Sequence, residues 1–197
     1  MSTFSAAQRQ AAVNSVKPLI GTDGSGMTFP AVGAPFGMTQ WTPQTREGER
    51  KCVAPYYAAD TRIQGFRGSH FLSGSCMQDH GSVTLMPLSG TLKVDPKERA
   101  STFLRETEVL HPSSYSIELK DYGIHADITG SVRSGFLRFR FDRGGKSWIL
   151  VQNNSVPEMA TYRSTKPIGR SLVETRRDVF MQAGESWRGS AWPEAVE

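Results

Sequence analysis

Residues 115–151 read YSIELKDYGIHADITGSVRSGFLRFRFDRGGKSWILV. Apolar and polar residues alternate over 115–119, again over 124–128, and again over 132–141. In the third run Phe139 and Phe141 fall on one face, and Arg138 and Arg140 on the other. Residues 148–151 make a fourth apolar run. Successive side chains of an extended chain point to opposite faces, so a period of two marks strands with one buried and one wet face. The runs are joined by Asp121-Tyr122-Gly123, Gly130-Ser131 and Arg143-Gly144-Gly145, short glycine turns that reverse the chain. Strands joined so tightly pair antiparallel, and a regular series of them predicts a β-sandwich.

Working outward, residues 83–87 form another strand candidate, closed by Pro87 and Gly90. Residues 20–39, IGTDGSGMTFPAVGAPFGMT, carry too much Gly and Pro for a helix and read as loop with short extended pieces such as 36–41. Residues 63–81 read as a second glycine-studded polar loop, and residues 46–51 as an exposed charged turn. Ala- and Gln-rich residues 4–16 predict one short helix, stopped by Pro18. After Val156 the alternation fades, and Trp187 and Trp192 sit among Gly, Ser and Pro. Three regions are therefore expected: an N-terminal extension over 1–17, a sandwich over 18–156, and a divergent tail over 157–197 that is poorly ordered or folds only against a partner domain.

The chain has 197 residues, 38% hydrophobic and 21% charged, which suffices for a real core and argues against disorder. Its net charge of +4 comes from basic residues scattered among acids. No RNA-binding signature, zinc-finger spacing or helix-turn-helix pattern accompanies it, so no nucleic-acid partner is expected. No apolar stretch reaches the ~18 residues of a membrane span, so no membrane partner is expected either. The start, MSTFSAAQRQAAVNSV, lacks the basic region and apolar core of a signal peptide. Cys52 and Cys76 do not make a disulfide framework.

Three motifs carry potential chemistry. The first is Ile20-Gly-Thr-Asp-Gly-Ser-Gly26, followed by Thr28-Phe-Pro30 and Ala34-Pro-Phe-Gly-Met38. No Gly-Lys-Ser/Thr follows it and no strand-loop-helix unit surrounds it, so it is neither a P-loop nor a dinucleotide fingerprint, and a structural turn is expected. The second runs Gly65-Phe-Arg-Gly-Ser-His70, Leu72-Ser-Gly-Ser-Cys76 and Asp79-His80-Gly81. His70, Cys76, Asp79 and His80 are metal-ligand types, although their spacing matches no standard zinc site. Cys76 with a histidine is a nucleophile pair without a recognisable orienting group. Phe66, His70, Phe71 and Ser73 combine aromatic faces with hydrogen-bonding groups, as sugar sites do. A polar loop at a sheet end accounts for the same residues. The third is Glu106-Thr-Glu108. Two carboxylates two residues apart on a strand share a face, which invites a glycosidase reading, but acids beside Arg105 and Thr107 are expected to be a solvated face.

In order and spacing, IGTDGSGMTFPAVGAPFGM, GFRGSHFLSGSCMQDHGSVTLMPLSG and ETEVLHPSSYSIELKDYGIHADITGSVRSGFLRF resemble the N-terminal domain of glycoside hydrolase family 92, over about residues 13–156. The resemblance implies an antiparallel β-sandwich of the galactose-mutarotase-like supersandwich type, with the partner (α/α)6 helical domain absent from this chain. It implies exo-acting, inverting α-mannosidases whose acid Glu, base Asp and most calcium ligands lie in that helical domain. Calcium is thus expected for the full-length enzyme and no cofactor for this chain alone. The implied partners are α-mannoside glycans and the missing helical domain. The sandwich loops would line part of the mannose pocket, with Phe66, His70, Ser73, Cys76 and Asp79 as substrate-binding candidates, Trp41 as a weaker one, and no catalytic residue. Family members are usually exported. The expected activity is α-mannoside hydrolysis by the whole enzyme, with this fragment inactive alone. The alternative is a stand-alone carbohydrate-binding module.

Overall fold

The period-two runs pair in the register their turns dictate. In the computed structural model, which describes residues 4–46, 54–69, 83–153, 171–175, 179–183 and 188–191, strands β1 (Gln40–Gln44), β2 (Arg62–Ile63), β3 (Gly65–Ser69), β4 (Val83–Ser89) and β5 (Ser101–Thr102) come first. Strands β6 (Val109–His111), β7 (Ser114–Leu119), β8 (Ile124–Gly130), β9 (Gly135–Phe141) and β10 (Ser147–Asn153) follow. Strands β11 (Ser171–Thr175), β12 (Val179–Ala183) and β13 (Arg188–Ala191) complete the set. One sheet has the order β1-β3-β4-β10-β11 and the other β13-β12-β9-β8-β7-β6, and β2 pairs with β5 separately. Every pairing is antiparallel, with Ile117 opposite Ala126 and Ile128 opposite Leu137. The fold class is the expected mainly-β antiparallel sandwich.

The alternation of β7 to β9 becomes burial. Ile124, Ala126 and Ile128 are buried while His125 and Asp127 face outward, and Leu137 and Phe139 are buried while Arg138 and Arg140 are not. The inner faces meet around Phe66, whose ring stacks on Phe139 (centroids 5.7 Å apart) and stands edge-on to Tyr115 (6.4 Å). Aromatic pairs at such separations add to the stabilisation from burial alone. Trp41 enters the same core between two glycines. A methyl group on Gly135 of β9 would stand 1.8 Å from Trp41 Nε1, and one on Gly68 of β3 would stand 2.4 Å from Trp41 Cε2. Both positions are therefore closed to any side chain while the indole stays.

Four expectations change in detail. The loop expected over 63–81 begins instead as β3, a strand between β1 and β4. Within the five-stranded sheet, β1, β3 and β4 are buried on both faces: Thr42, Gln44, Arg67, Thr84 and Met86, all on the side away from the six-stranded sheet, are each at most 4% exposed. A strand with no wet face shows no apolar–polar alternation, and this one buries polar groups that bond one another, such as Thr84 Oγ1 to Gln44 Oε1 at 2.7 Å. Buried Arg99 ends a short helix α2 (Pro96–Arg99) and donates to Gln64 O, Val94 O and Gln152 Oε1, tying the α2 segment to this sheet. The extended piece expected at 36–41 starts later, at Gln40, and the strand expected from 132 starts at Gly135, because Ser131 N–H bonds Ser134 O in a turn. In the tail over 157–197, β11 joins β10 and β12 joins β9, so this segment contributes to both sheets. The N-terminal helix forms over Ala6–Ser15 (α1), started by a capping box between Ser5 and Gln8, and buries none of its residues.

Candidate functional site

β1 and β3 run side by side with Gln40 opposite Ser69 and Trp41 opposite Gly68. The first motif ends where β1 begins. The second contains β3, which ends at Ser69, and β4 begins at Val83, itself opposite Gly68. Both motif segments therefore meet at one end of one sheet, although some thirty residues separate them in sequence.

The first motif closes on itself, as a structural turn should. Gly21 takes a left-handed φ of 77°, Thr28 N–H bonds Gly21 O at 3.1 Å, and Thr28 Oγ1 bonds Ile20 O at 2.7 Å. Asp23 accepts from Gly24 N–H at 2.7 Å. That bond, with help from the Tyr57 hydroxyl, holds its carboxyl below the usual range. The chain then makes a bridge between Val32 and Trp41 and turns through residues 33–40. This turn is fastened to its neighbours: Gly33 N–H bonds Pro112 O at 3.2 Å and Met38 N–H bonds Val132 O at 2.7 Å. At its tip Phe36 has a left-handed φ of 57°, the one non-glycine residue with positive φ among the described residues, and its side chain is fully exposed.

The predicted site residues divide. Trp41 and Phe66 are both 0% exposed, and their rings are taken up by the packing between the sheets. They root the two motif segments in the core. His70, Ser73, Cys76 and Asp79 lie outside the described residues, as do Phe71, His80 and Cys52. Among the described residues no group of His, Cys, Asp or Glu is arranged to hold a metal. Phe36 was not among the predicted site residues. Pro35 before it and Gly37 after it suit an ordinary type I turn, so the sequence alone does not announce its left-handed φ.

The carboxylate pair Glu106 and Glu108 departs from the solvated face expected of it. Arg105–Thr107 is a 3₁₀ turn, so the two acids do not share a strand face. Glu106 is exposed, but the Glu108 side chain is 1% exposed. Glu108 accepts from Tyr56 OH at 2.9 Å, Tyr115 OH at 3.0 Å and Arg105 Nη1. Burial, and then the Glu108 charge, push both tyrosine hydroxyls above their ordinary range. With every neighbour bonded, this carboxylate is a structural anchor for loop 54–60 and is not placed to meet a substrate.

At the opposite end of β1 and β3 lies a pocket of about 440 Å³ beside Arg46, Asp60, Arg62, Gln64 and Lys97. Its charges are largely spent internally: Arg46 pairs with Asp60 at 2.7 Å and Arg62 with Asp121 at 3.4 Å.

The glycosyl hydrolase family 92 N-terminal domain model matches residues 15–182, past the boundary expected at 156. The fold is similar to that of the family GH92 inverting mannosidase BT2199 of Bacteroides thetaiotaomicron, with a TM-score of 0.64 and 26% identity over 86% of this chain. It is similar also to the family GH92 α-mannosidase BT3965 of the same organism, with a TM-score of 0.66 and 26% identity over 89% of this chain. A third structure, the GH92 family glycosyl hydrolase ccman5, shares the fold at 22% identity and a TM-score of 0.61. This chain spans only 24–26% of the length of these three. No curated protein matches it. Motif order, sandwich and family match agree, and the chain belongs to glycosyl hydrolase family 92, of which it is the N-terminal domain.

Proposed function

We propose that this domain supplies one wall of an α-mannoside pocket that is completed by a helical second domain. The observation that carries the proposal is the convergence of the two motif segments at the Gln40–Ser69 end of the five-stranded sheet. Relatives of this fold are mannosidases. In this proposal His70, Ser73, Cys76 and Asp79 face the sugar, while Trp41 and Phe66 anchor the segments that present them. The acid and base of an inverting hydrolysis, which flank the bond with room for a water between them, come from the second domain, as do most ligands for calcium. Calcium's flexible oxygen shell suits sugar hydroxyls. One wall of a pocket buries little of a ligand's surface, so affinity of this domain alone is weak.

Calorimetric titration with mannose and an α-linked mannobiose, with and without calcium, tests this. Little or no heat from the folded domain, and saturable binding once the helical domain is present, is the expected result. That binding should weaken in His70→Ala. Saturable binding by the isolated domain, equal in strength with and without its partner, would instead make it a stand-alone carbohydrate-binding module.

A further inference from the structure

We infer that Gly135, on the six-stranded sheet, is a positioning residue for the mannoside pocket: the space it leaves seats the Trp41 indole, and that seat sets where both motif segments stand. The inference rests on the pocket proposed above and adds what holds its wall in place.

Trp41 is the residue the two segments share. Its N–H donates to Val32 O at 3.0 Å and its carbonyl accepts from Val32 N–H at 2.7 Å, which closes the 33–40 turn of the first motif. Across β1 and β3 it stands opposite Gly68, which precedes Ser69, the end of β3, and then His70. A shift of the Trp41 backbone therefore moves the roots of both segments.

The indole fixes that backbone against the other sheet. It is fully buried, with its pyrrole edge toward Gly135: a methyl there would stand 1.8 Å from Nε1, 2.4 Å from Cδ1 and 2.7 Å from Cε2. Its fused edge faces Gly68, where a methyl would stand 2.4 Å from Cε2, 2.5 Å from Cδ2 and 2.6 Å from Cζ2. The ring is thus held between two backbones, one from each sheet, and neither glycine has a side chain that could give way. Packing this close transmits a displacement instead of absorbing it.

A methyl at position 135 must be accommodated by one side or the other. Strand β9 lies between β8 and β12, and Gly135 pairs with Gly130 on one and Ala183 on the other. Trp41 lies on β1, which ends its sheet, with a single bridge to Val32 on its outer side among the described residues. The strand with fewer bonds yields first, so the methyl drives Trp41 and the segments that hang from it. A misplacement of about 1 Å in the groups that hold a substrate costs up to ~100-fold.

The test compares Gly135→Ala with a control of equal or greater cost in stability. Leu119 lies opposite Ile124 at the start of β8, whereas Gly135 lies opposite Gly130 at its end, so Leu119→Ala opens a cavity far from Trp41. Binding of α-linked mannobiose is titrated with the helical domain present, well below the melting temperature of every variant. Gly135→Ala is expected to weaken binding by ~10-fold or more, and Leu119→Ala to leave it as in the parent. Trp41→Leu, which empties the seat instead of crowding it, is expected to weaken binding too, and adding Gly135→Ala to it should weaken binding no further. Crystal structures of the variants give a second readout: Ser69 Cα should move by about 1 Å in Gly135→Ala and stay in place in Leu119→Ala. The inference is overturned if Gly135→Ala or Trp41→Leu binds as the parent does, if Leu119→Ala weakens binding equally, or if Ser69 does not move in Gly135→Ala. If the parent with its helical domain binds no mannobiose, the pocket proposal fails, and the displacement of Ser69 alone decides whether Gly135 positions the segment.

Discussion

Gly135→Ala sets two effects of opposite sign against each other. In a strand, alanine normally improves on glycine by about 0.5–1 kcal/mol, because less backbone entropy is lost on folding. Here the added methyl would stand 1.8 Å from Trp41 Nε1 and 2.4 Å from its Cδ1. Ordinary contact begins near 3.4 Å, so the indole or the strand has to move by roughly 1.5 Å. The indole cannot retreat toward β3, because Gly68 already abuts its other side and the ring is 0% exposed. Overpacking of a rigid core costs about 1–3 kcal/mol, and the upper end applies here. Sterics therefore outweigh propensity, for a net loss of about 2 kcal/mol. At about 2–4 °C per kcal/mol for a domain of this size, the melting temperature should fall by about 4–8 °C. Urea melts followed by tryptophan fluorescence and circular dichroism measure the loss. A double-mutant cycle identifies its cause. Trp41→Leu is costly alone, but it vacates the space the methyl needs, so adding Gly135→Ala to it should cost at least ~1 kcal/mol less than Gly135→Ala costs in the parent. Strict additivity of the two losses, or a Gly135→Ala variant as stable as the parent, would refute the packing account.

Three further outcomes follow from the polar groups. Glu108→Ala should destabilise the domain by about 2 kcal/mol in urea melts, because it leaves the buried Tyr115 hydroxyl without its acceptor, removes that of Tyr56 and empties a buried site, while Arg105 keeps its bonds to Tyr56 OH and to the Ala58 and Asp60 carbonyls; Tyr115→Phe, which removes one donor and leaves the carboxylate bonded, should cost less. At alkaline pH, Tyr56 and Tyr115 are held protonated in the fold, their pKa values raised by burial above the unfolded value; the unfolded chain then loses protons first, and stability present below about pH 10 should decline above it by up to ~1.4 kcal/mol per pH unit for each tyrosine, with a shallower slope in Tyr115→Phe. At acid pH the sign reverses for Asp121: burial raises its pKa, but the Thr102 hydroxyl and N–H and the Arg62 and Lys93 cations outweigh burial and hold it low, so its contribution is present above about pH 4 and lost as pH falls through the lower folded value. Asp121→Asn should flatten the acid limb of stability between pH 5 and 3, and an unchanged limb would remove Asp121 from the account.

The strands over 115–151 were legible in the sequence because each has one wet face and one dry face, and a period of two reports that condition directly. The turns were legible because glycine marks them at Gly123, Gly130 and Gly145. The order of the motifs pointed to the family. The burial of particular side chains was not legible. Phe66 and Trp41 sit in polar, glycine-rich surroundings that suggest an open loop, yet both rings fill the space between the sheets. Arg67 and Glu108 carry charge and are buried all the same. In each case the deciding neighbours come from elsewhere in the chain: Gly135 leaves room for Trp41, Thr42 and Thr84 flank Arg67, and Tyr56 and Tyr115 enclose Glu108. Periodicity records which residues share a face of one element. Which faces are covered, and by what, is fixed only when distant segments pack, and that the tertiary structure alone decided.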